Sequence, residues 1–357
     1  MRLFNIDFHI SVILDIENIF SDLGHSITDI SLSDHAPIVG KKKEFIPDIS
    51  NGKWIEYFTT DFAKQFNSRH PELSNFDGYI STYPPLFSIL YLGYDKPSFV
   101  HIPIRFDYGI HSNAPSMRNT ISTMQKAIES KKLIVTANNK YDAHYFNFLT
   151  GTTPEHIPSL CAYTSLQYNP GLHSKNVLIY AEKRLDKSKI DFSYDLKNNL
   201  PHGYKWNELL KYKAIVHFPY QLSTMSIFEH YTANIPLFFP SEELIHRLYL
   251  SGQDVLSQVS NYQLWNSSPK TVIPYNGDID LNNYKDPATI WEWLQYADYY
   301  DQDWMPHIQY FDSFEDLNSM IRTTDFQKIS DNMKLTNIDR KQKIYSAWRM
   351  KLNEIFC

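Results

Sequence analysis

Cysteine and long apolar runs are scarce in this chain of 357 residues, and we expect no signal peptide. Its two cysteines, Cys161 and Cys357, are too few for a disulfide framework or a multi-cysteine zinc site, so we expect a reducing, cytoplasmic environment. Asp7, His9 and Asp15 interrupt any apolar core of a signal peptide. No run approaches the ~20 apolar residues of a membrane span. We therefore expect no transmembrane segment, and a peripheral membrane contact stays open.

Several motifs that would indicate a particular catalytic mechanism are also absent. The sequence has no GxSxG elbow, no GxxxxGK[ST] phosphate loop and no HExxH zinc helix. The first predicted strand-to-helix turn, residues 11–15, contains no glycine, which argues against a dinucleotide oxidoreductase. A net charge of −6 argues against a general nucleic-acid binder, because such a protein needs a basic surface.

The chain does contain a regular alternation of strand and helix patterns. Its length predicts two domains, and 43% hydrophobic residues are enough for two cores. In the first part we predict strands at residues 3–13, 26–32, 79–82, 98–102 and 133–137, and helices at 15–23, 54–67, 116–130 and 140–149. Such alternation is typical of a doubly wound α/β domain, whose ligand crevice lies at the carboxyl ends of parallel strands.

A second alternating part follows a proline-containing connection. Residues 152–174 connect the two parts, a strand is predicted at 176–180, and the alternation continues to about residue 320. Residues 338–356 have the apolar spacing of a long helix. We predict an N-terminal domain at 1–172, a C-terminal domain at 173–337 and a terminal helix at 338–357.

The most informative segment runs from residue 217 to 241. It predicts a strand ending near residue 218, a polar loop, a helix at 225–232 and a second strand at 235–239. Gln221, Ser223 and Thr224 stand where the helix begins, and free N–H groups there bind anions. Glu229 follows about 6 Å along the helix. A diphosphate at the helix start and a carboxylate one turn in suit a nucleotide, whose ribose hydroxyls need an acceptor.

This segment resembles the donor-binding helix of glycosyltransferases with the GT-B fold. Many retaining members carry two glutamates separated by seven residues, and here Gln221 and Glu229 occupy that frame. The resemblance implies two Rossmann-like doubly wound domains facing a cleft, with the donor bound by the second domain and Glu229 holding the donor ribose. It also implies a terminal helix that crosses back to the first domain. Gln221 departs from the family pattern and favours an inverting reaction.

Two neighbouring cations follow the first strand of the second part. The resemblance implies that Arg184, or Lys183, balances the charge of the departing nucleoside diphosphate. The alternative is that Lys183 and Arg184 are solvent-exposed side chains near a strand end, without a role in binding. A metal is a further alternative, because residues 278–280 and 301–303 both read Asp-x-Asp. Neither string follows a strand as metal-dependent transferases require, so we predict no essential metal and no cofactor.

The first domain offers candidates for a general base, which must take a proton from the acceptor hydroxyl. His9 is one candidate, with Asp7 to orient it, since residues two apart on a strand share a face. His35, beside Asp34 after the second strand, is another. Each is equally consistent with a hydrogen-bonded polar residue at a strand end.

Further polar residues follow the later strands. His101, Arg105 and Asp107 are predicted to bind the acceptor or the donor phosphate. Asn138 and Asn139 instead have the pattern of a helix cap, because asparagine there satisfies free N–H groups.

These observations predict a glycosyltransferase that moves a sugar from a nucleotide-sugar donor to a hydroxyl of a glycan or another acceptor. A nucleotide-sugar epimerase would need a carboxylate pair near the sugar, which is not evident. A non-catalytic carbohydrate-binding or assembly protein on the same fold is the alternative from another class.

Overall fold

Every strand pairing in the described part of the protein is parallel. The computed structural model describes residues 1–50, 60–108, 110, 113–169, 176–181, 185–201, 203–257 and 271–356. These residues form two units, each with its own sheet. Over the described residues, unit 1 comprises those within 1–159, 271–282 and 344–356, and unit 2 comprises those within 160–257 and 283–343.

Unit 1 has a six-stranded sheet of order β2-β1-β3-β4-β5-β6. Its strands are β1 (Arg2–Asp7), β2 (Ser26–Ser31), β3 (Gly78–Ser81), β4 (Ser98–Ile102), β5 (Leu133–Ala137) and β6 (Glu155–His156). The chain passes from β1 to β2 on one side and then to β3 on the other. The order therefore reverses between β1 and β3, which makes their carboxyl ends the expected ligand crevice of this unit.

Among the described residues, six α-helices follow or connect these strands along the chain. They are α1 (Ile10–Asp22), α2 (Pro47–Ser50), α3 (Thr60–Arg69), α4 (Ser88–Tyr91), α5 (Ala114–Glu129) and α6 (Lys140–Thr150). Helix α1 buries Ile13, Ile16 and Phe20, whose spacing of three and four residues places them on one face. The N-cap residue of helix α6 is Asn139, whose side chain accepts a hydrogen bond from the Asp142 backbone N–H. The cap predicted from the sequence is confirmed there.

Unit 2 has a five-stranded sheet of order β11-β10-β9-β7-β8. Its strands are β7 (Val177–Tyr180), β8 (Tyr194–Leu196), β9 (Ile215–His217), β10 (Leu237–Pro240) and β11 (Gln309–Phe311). The order reverses between β7 and β9, so the switch point of this sheet lies at their carboxyl ends.

In the part of unit 2 that the structure describes, five α-helices lie wholly or partly within the unit. They are α7 (Met225–Thr232), α8 (Glu242–Leu250), α9 (Pro287–Gln295), α10 (Phe314–Thr323) and α11 (Phe326–Phe356). Helix α11 starts in unit 2, and from Ile344 onward its residues group with unit 1. Among the described residues, no helix combines the length and the apolar character needed to cross a membrane.

The predicted fold class, two Rossmann-like doubly wound α/β domains, is confirmed by these two sheets. The predicted bounds of β4, β5 and α7 agree with the structure residue for residue. The strand predicted at 3–13 is wrong beyond Asp7, because Ile10, Val12 and Ile13 begin the buried face of α1 instead. Part of the helix predicted at 54–67 lies outside the described residues, and the described helix runs over Thr60–Arg69.

Candidate functional site

The switch point of unit 2 lies at Tyr180 and His217. These are the last residues of β7 and β9, and they are register partners in the sheet. After β9 the chain turns through a loop and enters α7 at Met225. Because the loop follows the carboxyl end of a strand at the switch point, it occupies the position where doubly wound sheets bind ligands. The sequence-predicted residues Gln221, Ser223 and Thr224 all lie in this loop.

The beginning of α7 lacks the capping bond seen at other helices. Thr224 is the N-cap residue, with the extended backbone that capping requires (φ −147°, ψ 145°), but its side chain makes no capping bond. Its Oγ1 instead lies 3.0 Å from Ser226 Oγ. Gln221 turns its Oε1 toward the loop backbone and accepts from Leu222 N at 3.3 Å. Two hydroxyls therefore stand at the positive end of the helix dipole.

Ser223 is held by a residue from far along the chain. Its hydroxyl donates a short hydrogen bond to the buried carboxylate of Asp298, and Asp298 N donates to Leu222 O at 3.2 Å. These two bonds fix the loop just before α7. Asp298 therefore positions the helix start.

Glu229 lies in α7 and is 8% exposed. Its Oε1 accepts a hydrogen bond of 2.5 Å from the hydroxyl of Tyr163, whose ring meets Trp206 edge-on at 5.4 Å. The predicted ribose-binding carboxylate is thus held by a tyrosine hydroxyl within unit 2. The two cations predicted to balance the diphosphate charge, Lys183 and Arg184, lie outside the described residues.

A chain of hydrogen-bonded rings runs inward from the same place. Tyr204 and Tyr180 hydroxyls are 3.1 Å apart, Tyr180 Oη lies 3.3 Å from His230 Nε2, and His230 Nδ1 lies 3.2 Å from His217 Nε2. Burial lowers the pKa of His230 to about 3, with the charge of Lys197 adding to the effect. Burial also holds the pKa of His217 well below its usual value. Both imidazoles are therefore neutral at pH 7.

In unit 1, Asp7 ends β1 at the switch point of the first sheet. Its carboxylate accepts a short bond from the backbone N–H of His9 and a 3.3 Å bond from Ser31 Oγ. Burial raises the pKa of Asp7, and the nearby Asp29 carboxylate raises it further. The expectation that Asp7 orients the His9 ring from a shared strand face is wrong, because β1 ends at Asp7 and its bond goes to the His9 backbone.

His9 stands at the N-cap position of α1, directly after that strand end. Its ring lies 5.6 Å from the ring of Tyr83, and its buried Nδ1 has no hydrogen-bond partner. Burial, together with the charge of His35, lowers the pKa of His9 to about 4. His35 itself is exposed, and its backbone N–H donates to Ser33 Oγ at 3.2 Å. Asp34 pairs with Lys43 at 2.5 Å.

His101 is not at the crevice. It lies within β4 rather than after it, its Nδ1 bonds to Thr136 Oγ1 at 2.9 Å, and its ring lies 5.0 Å from that of Trp348. Burial lowers its pKa to about 3, with a smaller effect from His156. The structure therefore corrects the expectation of an acceptor or phosphate contact: His101 is a neutral core histidine.

Arg105 and Asp107 follow β4 as expected, but they bind each other. Arg105 Nε and Nη2 donate to the two Asp107 oxygens at 3.1 and 2.8 Å, and both side chains are buried. Tyr145 Oη also donates to Asp107 Oδ2 at 2.9 Å, and the guanidinium lies 4.1 Å from the Tyr145 ring centroid. Their opposite charges are balanced inside unit 1, so the pair supplies no net charge to a phosphate.

The described residues contain no cluster of three or more His, Cys, Asp or Glu side chains suited to a metal ion. Within the Asp-x-Asp strings, Asp280 accepts from Thr271 N at 2.8 Å and Asp301 accepts from Asp303 N at 3.2 Å. These carboxylates bond to their own loops.

Several residues of the site were missed by the sequence analysis. Tyr163 and Asp298 come from segments distant from α7, and no local pattern marks them. His217 and Tyr180 carried a usable signal, because each ends a predicted strand of a parallel sheet, where polar side chains meet at one edge.

Comparisons with known proteins identify similar folds only. No family model matches the sequence, and no curated protein matches it. Among solved structures, the glycosyltransferase SnogD from Streptomyces nogalater is 11% identical with a TM-score of 0.45, covering 98% of both chains. Spinosyn rhamnosyltransferase SpnG is 10% identical with a TM-score of 0.44, covering 99% of this chain and 100% of its own.

Glycyrrhiza uralensis UGT73P12, solved with glycyrrhetinic acid 3-O-monoglucuronide, is 10% identical with a TM-score of 0.47. The match covers 99% of this chain and 95% of that one. With identities near 10% and TM-scores below 0.5, neither an activity nor the role of any residue follows from this similarity.

Proposed function

We propose that this protein is a glycosyltransferase that moves a sugar from a nucleotide-sugar donor to a hydroxyl group. One observation carries the proposal: at the switch point of unit 2, α7 begins with Thr224 in capping geometry but without a side-chain capping bond, and buried Glu229 follows within the same helix. A helix start of this kind binds a diphosphate, and a carboxylate within the helix accepts from ribose hydroxyls. We assign donor binding to Glu229, Ser223, Thr224 and Gln221.

The general base is assigned to unit 1. His9 is neutral at pH 7 because burial lowers its pKa to about 4, so its ring can accept a proton. The acceptor oxygen attacks the anomeric carbon as His9 takes its proton. The bond from that carbon to the diphosphate oxygen breaks, and the nucleoside diphosphate leaves with the electron pair. Attack opposite the leaving group inverts the anomeric carbon.

We propose that the reaction is inverting and uses no essential metal. Gln221 stands where a retaining member of the family would carry a glutamate, which favours inversion. We assign stabilisation of the negative charge on the departing diphosphate to the helix start of α7 and to Arg184 or Lys183. These groups can stabilise a diphosphate without a divalent cation.

A binding screen tests the donor site. Thermal unfolding is measured with UDP, GDP, CMP and dTDP, and with the UDP, GDP and dTDP sugars. A ligand at about a hundredfold excess over its dissociation constant stabilises the fold by about 2.7 kcal/mol. We expect one nucleotide to raise the melting temperature. Glu229→Gln should abolish most of that shift, because an amide no longer offers a second acceptor oxygen to the ribose.

Glu243→Gln is the matched control, since Glu243 is exposed on the next helix, α8. Its ligand-induced shift should equal that of the wild type. A shift that survives Glu229→Gln would place the donor site elsewhere. No shift with any nucleotide would favour a non-catalytic carbohydrate-binding protein. Release of nucleoside diphosphate from the matching nucleotide sugar, with and without EDTA, then tests transfer and metal dependence.

A further inference from the structure

Unit 2 contains four hydrogen-bonded rings that the proposed reaction does not use. We propose that Tyr204, Tyr180, His230 and His217 form a relay that presents the Tyr204 hydroxyl to the nucleoside of the donor and reverses its hydrogen-bond direction according to the ligand. We call these four residues the tyrosine–histidine relay. The ligand contact rests on the proposed function, whereas the coupling along the relay does not.

The relay is built across the switch point itself. Tyr180 and His217 are register partners at the ends of β7 and β9, and His230 of α7 bridges them. Each successive contact lies between 3.1 and 3.3 Å. Tyr180, His217 and His230 are buried, so water does not compete for these bonds. The series is therefore a continuous network in a low-dielectric interior, where neighbouring hydrogen bonds strengthen one another.

Neutral imidazoles make the relay directional. A neutral imidazole has one N–H donor and one acceptor nitrogen, so the nitrogen facing the partner ring must donate on one histidine and accept on the other. If His217 Nε2 donates, His230 Nδ1 accepts and His230 Nε2–H donates to Tyr180. Tyr180 then donates to Tyr204, whose own O–H points outward. If His230 Nδ1 donates instead, every bond reverses and Tyr204 donates inward, leaving its oxygen as an outward acceptor.

The outer end of the relay lies near the donor carboxylate. Tyr204 is half-buried, unlike the other three members. Burial raises the pKa of Tyr204, and the charge of Glu229, the residue next to His230, contributes to that rise. Two residues after Tyr204, the Trp206 ring packs edge-on against Tyr163, whose hydroxyl donates to Glu229. We therefore place a nucleoside held by Glu229 within reach of the Tyr204 hydroxyl. A nucleoside atom that donates a hydrogen bond to Tyr204 and one that accepts a hydrogen bond from it would select opposite directions of the relay.

The protonated nitrogens of His217 and His230 depend on the hydrogen bond that Tyr204 makes, so the two histidines can be used to test the relay. The protein is labelled with ¹⁵N-histidine, and the imidazole nitrogens of His217 and His230 are observed by NMR in the wild type and in Tyr204→Phe. Phenylalanine keeps the ring but cannot accept from Tyr180, so Tyr180 should donate to His230. We expect the ¹⁵N shifts of Tyr204→Phe to show the proton of both histidines on Nδ1, and the wild-type shifts to change when a nucleoside diphosphate is added.

Binding of UDP, dTDP and GDP is measured by calorimetry on the same proteins. We expect Tyr204→Phe to raise the dissociation constant of the preferred nucleotide about tenfold, the effect of one lost hydrogen bond. Tyr168→Phe is the control, because Tyr168 bonds to the backbone oxygen of Lys213 at 2.6 Å and is not part of the relay. It should leave both the affinity and the imidazole shifts unchanged.

The outcomes separate the two proposals. If the wild type binds a nucleotide and Tyr204→Phe changes neither affinity nor imidazole shifts, the relay is refuted while the proposed function stands. If the wild type binds none of the three nucleotides, the proposed function and the ligand contact of Tyr204 are both refuted. The spectrum of Tyr204→Phe still decides the coupling in that case: protons on Nδ1 of both His230 and His217 support it, and a proton on Nε2 of either histidine overturns it.

Discussion

At the scale of single residues, the buried pair of Arg105 and Asp107 gives a direct stability test. Arg105→Met removes the cation and leaves the Asp107 carboxylate, 1% exposed, without its counter-charge. Breaking a buried ion pair from one side is expected to cost about 3–5 kcal/mol. Urea unfolding of the variant and the wild type measures this difference.

An exposed Arg–Asp pair in unit 2 is the control for that measurement. Arg322 and Asp191 are 2.5 Å apart, with side chains 57% and 55% exposed. Arg322→Met is expected to change the free energy of unfolding by about 0–1 kcal/mol. Equal losses in the two variants would contradict the buried-charge argument. Restoration by the double variant Arg105→Met with Asp107→Leu would support it, since the uncompensated charge is then gone.

The half-buried ring of His9, whose Nδ1 is shielded from solvent, predicts a pH dependence of stability. Its pKa is about 4 in the folded protein against 6.5 as the ordinary value, so between these values the unfolded chain binds a proton that the folded chain does not. Stability therefore falls as the pH falls from about 6.5 toward 4, by about 1.4 kcal/mol per pH unit. His9→Asn removes this group. Its loss of stability between pH 7 and pH 5 should be smaller than that of the wild type by about 2 kcal/mol.

Chemical denaturation at the two pH values checks this prediction. Other buried histidines such as His101 have lowered pKa values and the same sign, so the wild-type curve alone cannot isolate His9. The difference between variant and wild type does. Identical losses in both proteins would mean that His9 titrates normally and is solvated, and the case for it as a neutral buried base would then fail.

Residue roles were the least predictable part of the candidate site. His101 and Arg105 were singled out because polar residues near strand ends often bind ligands. In the structure His101 contacts Trp348, which is 247 residues away in sequence, and Arg105 bonds to Tyr145, which is 40 residues away. Such partners carry no local pattern. The chemistry of a side chain can be read from its type, but whether that chemistry is already satisfied depends on tertiary contacts.

At the scale of elements, the two N-caps Ser313 and Thr224 offer a comparison. Ser313 caps α10 through a 3.1 Å bond from Asp316 N, whereas Thr224 stands at the start of α7 without a capping bond. Ser313→Ala is expected to destabilise by about 1 kcal/mol. Thr224→Ala should cost only a few tenths, because no cap is lost, yet it should weaken nucleotide binding at the helix start.

Thermal unfolding with and without the preferred nucleotide measures both effects. The expected pattern is crossed: Ser313→Ala lowers the melting temperature but keeps the ligand-induced shift, and Thr224→Ala does the reverse. If Thr224→Ala loses as much stability as Ser313→Ala and keeps full ligand response, the start of α7 is an ordinary capped helix end. The donor assignment would then lose Thr224.

Helices and strands could be predicted from the sequence because their apolar residues recur with different periods. Apolar residues at spacing three and four predicted the helices, and short buried runs such as 98–102 predicted the strands. The prediction failed where the two periods overlap. From Phe4 to Val12 apolar residues alternate with polar ones, so a continuous strand fits residues 3–13. The backbone nevertheless turns after Asp7, and the remaining apolar residues are buried on α1.

At the scale of the whole molecule, the alternation of strands and helices predicted two doubly wound sheets, and both are present. It could not predict which segments join which unit. Residues 271–282 follow most of the unit 2 strands in sequence yet belong to unit 1, where Asn276 bonds to backbone oxygens of Asn147 and Phe148. Tyr275 also stacks on Phe148 at 4.6 Å. Membership of a unit is decided by such contacts rather than by chain order.

The terminal part of α11 gives a prediction at this scale. Trp348 is 1% exposed within unit 1, with its ring 5.1 Å from Phe20 and 5.0 Å from His101. Trp348→Ala leaves a cavity between α1 and β4, which is expected to cost about 3–5 kcal/mol. Because these contacts lie in unit 1, amide hydrogen exchange should accelerate in α1 and β4 and stay unchanged in β9 and β10 of unit 2.

Met350→Ala is the matched control, because Met350 is two residues away on the same helix and 61% exposed. Its exchange rates should remain within the range of the wild type, since surface substitutions usually change stability by no more than about 0.5 kcal/mol. Faster exchange in β9 and β10 of Trp348→Ala would show that both units open together, so that α11 stabilises the protein as one cooperative body. Acceleration confined to α1 and β4 would show that the last turns of α11 act as a core element of unit 1, contributed by the far end of the chain.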